Sequence, residues 1–71
     1  MGEHRKQGKT FFVLVDAHMQ MAIHRAPSGH FTCISYQDGR QVTGAMRITQ
    51  AEAAAKMGLT LPELLRKFTL K

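Results

Sequence analysis

The chain predicts an α+β fold: an antiparallel meander of three to four strands followed by two short C-terminal helices. Three observations carry that prediction. Thr10–Val15 and Phe31–Tyr36 are rich in β-branched and aromatic residues, which suit a pleated surface. Asp38-Gly39 follows the second run, and the tight hairpin turn needs positive φ at positions that Asp and Gly tolerate. Two Thr-x-x-Glu capping boxes, Thr49 to Glu52 and Thr60 to Glu63, then mark two helix starts.

Taken in order, residues 1–9 lack apolar periodicity and contain Gly2 and Gly8, so they read as a flexible basic tail ahead of one small domain over residues 10–71. Thr10–Val15 reads as a buried strand. Met19, Met21 and Ile23 alternate with Gln20, Ala22 and His24, as in a half-exposed strand. The same stretch also fits a helix capped by Asp16, since Ala, Met and Gln are good helix formers. The turn signal at Ala26-Pro27-Ser28-Gly29 favours the strand. Arg40 to Arg47 returns as a further strand, with Gly44 marking a bulge or a close backbone approach. In the helical end, Gly58 closes the first helix, and Ala51, Ala54 and Ala55 give it a smooth face. Leu59 and Leu64 can staple the second, whose apolar stripe is Leu61, Leu64, Leu65 and Phe68.

A chain of 71 residues holds one domain at most. A domain of that size buries only about 60% of its unfolded surface, so a homodimer would add stability. A single cysteine cannot form an internal disulfide. No apolar run reaches transmembrane length, and the basic start is not followed by the apolar core of a signal peptide. The expectation is a cytoplasmic protein with no membrane partner.

The formal charge of +5 points to an acidic partner such as nucleic acid. It is unevenly placed. Arg5, Lys6 and Lys9 face only Glu3 in the first nine residues, and Arg66, Lys67 and Lys71 face no acid in the last six. Between them Arg25, Arg40, Arg47 and Lys56 are balanced by Asp16, Asp38, Glu52 and Glu63.

Catalytic and metal chemistry find little footing. His18, His24, His30 and Cys33 are zinc-competent, but their spacing matches no standard pattern, and on a strand His30 and Cys33 point to opposite faces. Cys33 has few carboxylates to orient a base beside it and reads as a small core residue. Gly8-Lys9-Thr10 lacks the upstream glycine of a phosphate-cradling loop. No enzyme activity, metal or cofactor is expected. The helix pair from Thr49 to Thr60 has the grammar of a helix-turn-helix, but Leu61, Pro62 and Glu63 stand where a reading helix needs polar or basic residues.

Gly29 to Ile34, then Asp38 to Met46, then Ile48 to Ala55 together resemble the three-stranded sheet plus helix of the ethylene-response-factor DNA-binding domain and of the arm-binding domain of phage integrases. The resemblance spans roughly residues 19–57 and implies a sheet face laid into the major groove, which admits a β-ribbon. It implies contacts from Arg25, His30, Thr32, Arg40 and Arg47. The chain departs from the first family in having no Trp and few Arg on that sheet. With the basic ends added, the candidate nucleic-acid-binding residues are Arg5, Lys6, Lys9, Arg25, His30, Thr32, Arg40, Arg47, Arg66 and Lys67, with DNA preferred over RNA.

A rival set is apolar. Phe12, Met19, Met21, Ile34 and Tyr36 exceed what one thin sheet and two short helices need for a core, and Met-rich aromatic faces suit protein partners. In size and style the chain is similar to small phage or plasmid inhibitors of host systems, including anti-CRISPR proteins. The leading expectation is a nucleic-acid-binding regulator of a phage or mobile element. The alternative is an inhibitor or adaptor that binds a host protein or nucleoprotein complex.

Overall fold

The computed structural model describes residues 8–69. Five strands form one antiparallel sheet, β1 (Lys9–Leu14), β2 (Met19–Arg25), β3 (Phe31–Gln37), β4 (Arg40–Gln41) and β5 (Met46–Ile48), and two helices follow, α1 (Gln50–Met57) and α2 (Leu61–Lys67). This is the predicted α+β arrangement. The stretch that also fitted a helix is strand β2, paired with β1 on one side and β3 on the other.

Local chemistry accounts for the joints. Between β1 and β2 the Asp16 carboxylate accepts from the amides of His18 and Met19 at 2.8 and 2.9 Å, holding the turn. Asp38 and Gly39 both take positive φ, 51° and 81°, as the two-residue hairpin between β3 and β4 requires. Both capping boxes are complete. Thr49 accepts from the Glu52 amide while Glu52 accepts from the Thr49 amide, and Thr60 and Glu63 repeat the pattern.

The expected single strand from Arg40 to Arg47 is broken in two. Gln41 lies opposite Tyr36 and Met46 opposite Cys33, so residues 42–45 stand against only Ser35 and Ile34. The surplus forms a bulge around Gly44, where a side chain would find open space. Thr43 repairs the ladder: its hydroxyl accepts the Ser35 amide at 3.0 Å, in place of a strand carbonyl.

Side chains alternate across the sheet, and the register sorts them. Phe11, Val13, Met21, Ile23, Phe31, Cys33 and Ile48 point to the face that the helices cover. There Ile23, Phe31, Cys33, Ala53, Ala54, Leu64 and Phe68 form the buried core. Phe68, just past α2, sets its ring edge-on to Phe11 and Phe31 at 4.9 and 5.2 Å between centroids. Two expected helix faces shift. Ala53 and Ala54 are the buried alanines, with Ala51 and Ala55 exposed. In α2 only Leu64 is buried, and Leu61 and Leu65 face water. With only two turns, α2 has room for a single core contact, and Phe68 beyond its end supplies the other.

The opposite face carries Thr10, Phe12, Leu14, Gln20, Ala22, His24, Thr32, Ile34, Tyr36, Gln41 and Arg47, and no described element covers it. Phe12 and Tyr36 lean toward each other across β2, 6.1 Å between ring centroids. The small Ala22 between them is sealed although it lies on the open face. The reading of Thr10–Val15 as a buried strand is therefore corrected: β1 is an edge strand on which Phe12 and Leu14 are 62% and 68% exposed, and Val15 just past its end is 49% exposed. An unbroken apolar run looks buried because it shows no polar alternation, whichever face is wet.

Candidate nucleic-acid interface

Two rows of paired residues cross the sheet at one end of the strands. On the helix side the row is Lys9, Arg25, Phe31 and Ile48; on the open side it is Thr10, His24, Thr32 and Arg47. Three strand spacings separate the outer members, roughly 14 Å. His30 directly precedes β3 at the same end. The C-terminus of α2 arrives there too, because the Arg25 guanidinium donates to the Phe68 carbonyl at 3.0 Å and the Lys67 ammonium lies 4.3 Å from the Phe11 ring centroid. Arg66, exposed on the same last turn, comes with it.

The structure thus gathers Lys9, Arg25, His30, Thr32, Arg47, Arg66 and Lys67 from the predicted nucleic-acid set at one end of the sheet. Arg40 is separated from them: it pairs with Gln37 at the opposite end, beside the Asp38 hairpin. Arg5 and Lys6 lie outside the described residues. The far end also holds Asp16, so there Arg40 stands against both aspartates while the other described strand cations gather at the near end, and the sheet is electrically polarised along its strands. Glu52, at the start of α1, and Glu63, whose carboxylate feels the charge of Arg66, are the described carboxylates on the helix side of the basic end.

The gathered residues differ in freedom. Arg25 is half-buried, donates to Gly29 and Phe68, and lies 5.6 Å from the Phe31 ring centroid. It is a tie between the β2–β3 turn and the end of α2. Lys9, Arg47, Arg66 and Lys67 are exposed, Lys67 with its ammonium over the Phe11 ring. His24 shares a 2.7 Å hydrogen bond with the Thr10 hydroxyl, and His30 one of 2.8 Å with the Ser28 hydroxyl. An open cleft of about 400 Å³ cuts into this end, lined by Gly29, His30, Phe31, Arg47, Ile48, Thr49 and Gln50. It sets His30 and Arg47 beside the start of α1, where the helix dipole presents partial positive charge. Among the described residues no three His, Cys, Asp or Glu side chains form a metal-binding group.

The rival apolar set is divided. Phe12, Ile34 and Tyr36 share the open face, while Met19 and Met21 point to the helix side, where Met21 packs on the core. The pairing makes that division: Met21 stands opposite Val13, and Phe12 opposite Ala22. Leu14 and Val15 were missed as exposed apolar residues for the reason given above.

Comparison with family models, curated proteins and solved structures returns no match. The site therefore rests on its own geometry.

Proposed function

We propose that the chain is a small nucleic-acid-binding protein that grips phosphates end-on, through the basic end of its sheet, rather than reading bases with the sheet face. The observation that carries this reading is the convergence of Lys9, at the start of β1, with Arg66 and Lys67, at the end of α2. Lys9 begins β1, Lys67 lies over Phe11 of the same strand, and Arg25 bonds to Phe68 across 43 residues of sequence. Scattered cations would only keep a small domain soluble; a one-sided cluster focuses a field that attracts a polyanion.

The open face supports the end-on choice. Its middle rows hold Phe12, Ala22, Ile34, Leu14 and Tyr36, and Arg47 is its single arginine. Such a face offers few donors to base edges, so contacts fall mainly on phosphates, which position without specifying sequence. Duplex DNA is the proposed ligand.

The test is binding of labelled duplex DNA at rising salt, beside single-stranded DNA and RNA of the same sequence. Four exposed cations predict a slope of log K against log salt of about −3 to −4, close to a hundredfold loss between 50 and 200 mM. Arg47→Gln and Lys67→Gln should each make the slope shallower by about one, and Arg40→Gln should leave it unchanged. No binding at low salt, or equal effects from all three substitutions, would overturn the reading. The open face favours one other occupant, since Phe12 and Leu14 are largely exposed there. If DNA fails to bind, a charged residue at Ile34 that abolishes capture of a host protein while the fold survives would favour the inhibitor or adaptor instead.

A further inference from the structure

The two edges of the sheet are finished differently. The β4–β5 edge is short, interrupted by the bulge at residues 42–45, and its ladder is completed by the Thr43 side chain. Those are devices that stop one sheet from adding strands to another. The β1 edge has none of them. From Thr10 to Val15 it is continuous, apolar but for Thr10, and free of Gly, Pro and charge.

The hydrogen-bond pattern shows which backbone groups this edge leaves unused among the described residues. Val15 donates to Met19 at 2.8 Å, so residues 15 and 19 form a closely bonded pair of the β1–β2 ladder. Bonded pairs alternate along an antiparallel ladder. The odd-numbered residues of β1 therefore point their amides and carbonyls at β2, and Thr10, Phe12 and Leu14 point theirs outward.

We propose that β1 pairs with β1 of a second copy, antiparallel, about a two-fold axis at Phe12, making one continuous sheet across a homodimer. In that register Phe12 faces its twin and Thr10 faces Leu14 of the other copy, so all three outward-facing residues on each side are satisfied by one another. Side chains keep their faces: Phe11 meets Val13 of the other copy on the helix side, and the exposed Phe12 and Leu14 are covered on the open side. Charge argues for a second copy over an unrelated strand. The sheet is polarised along its strands, and antiparallel pairing sets the basic end of each copy beside the Asp16 end of the other. Lys9 falls opposite Val15 of the other copy, next to its Asp16.

The experiment combines sedimentation with amide hydrogen exchange on the full chain. The expected mass at high protein concentration is twice that of one chain, falling to one on dilution. The amides of Thr10, Phe12 and Leu14 should gain protection as concentration rises, while those of Phe11 and Val13 stay protected throughout. Phe12→Pro removes an outward donor and no inward ladder bond, and proline is tolerated on an edge in that orientation. It should give a folded monomer. Leu14→Lys, which removes no backbone group, should do the same through charge. A chain that stays monomeric at high concentration overturns the proposal. So does a dimer that persists in a folded Leu14→Lys variant, or one whose even-numbered β1 amides exchange as fast as in the monomer.

Discussion

The two faces of the sheet carry similar residues and meet opposite fates. Beneath the helices, Phe11, Ile23, Phe31 and Cys33 close on Leu64 and Phe68. On the other face, Phe12, Leu14, Ile34 and Tyr36 are just as apolar, yet no described element covers them. Hydrophobicity alone did not choose the face. The connection did: Ile48 ends β5 pointing to the covered side, Thr49 caps the next helix at once, and the small Ala53 and Ala54 let that helix settle close to the sheet. The difference separates what holds the fold from what is left available to a partner.

The largest break in that comparison is Phe68→Ala. Phe68 is fully buried, stacks edge-on to two rings, and its carbonyl receives Arg25. Its truncation should cost about 3–5 kcal/mol in denaturant unfolding, a large share of the stability of so small a domain. It should also loosen the basic end, because the C-terminus of α2 is what brings Arg66 and Lys67 there. Leaving the DNA affinity of the remaining folded fraction unchanged would show that the convergence does not depend on this anchor.

How far these features were legible follows from how local each signal is. The capping boxes, the left-handed Gly58 and the Asp38-Gly39 turn are written within four residues, and the structure has them where the sequence places them. The buried face of α1 was not legible, because alanine at 51, 53, 54 and 55 gives no preference and only the docking angle decides. The broken edge was half visible: Gly44 marked a bulge, but the length of the interruption depends on Thr43 reaching Ser35. The candidate residues were named from the charge of the chain ends and from the family resemblance. That most of them share one end while Arg40 does not is a matter of register and of a contact from residue 25 to residue 68, for which a single sequence carries no signal.

An intermediate effect probes the helix layer itself. Thr60→Ala removes the acceptor for the Glu63 amide at the start of α2 and should cost about 1 kcal/mol. Leu14→Ser on the open face, measured in dilute protein, should stay within about 0.5 kcal/mol, since the side chain is already 68% exposed. The two values should therefore fall in that order in thermal unfolding. A Leu14→Ser loss as large as that of Phe68→Ala would mean that the open face is part of the core after all.

The smallest effect separates the local chemistry of the covered layer from its packing. Glu63 is held below the ordinary carboxylate pKa of 4.5, first by the Thr60 amide, then by the Thr60 side chain and, more weakly, by Arg66. A carboxyl whose pKa is lowered in the folded state adds stability that is fully present above its unfolded value and disappears as pH falls through the folded one. Glu63→Gln keeps the shape and the hydrogen-bonding oxygen but removes the titration. Above pH 4.5 the wild type should melt slightly higher than the variant, and the gap should close as acid protonates Glu63. Packing on Leu64 and Phe68 does not titrate, so it contributes equally to both proteins at every pH. A gap that stays constant into strong acid would assign the difference to packing and remove the capping carboxylate from the forces that hold α2 on the sheet.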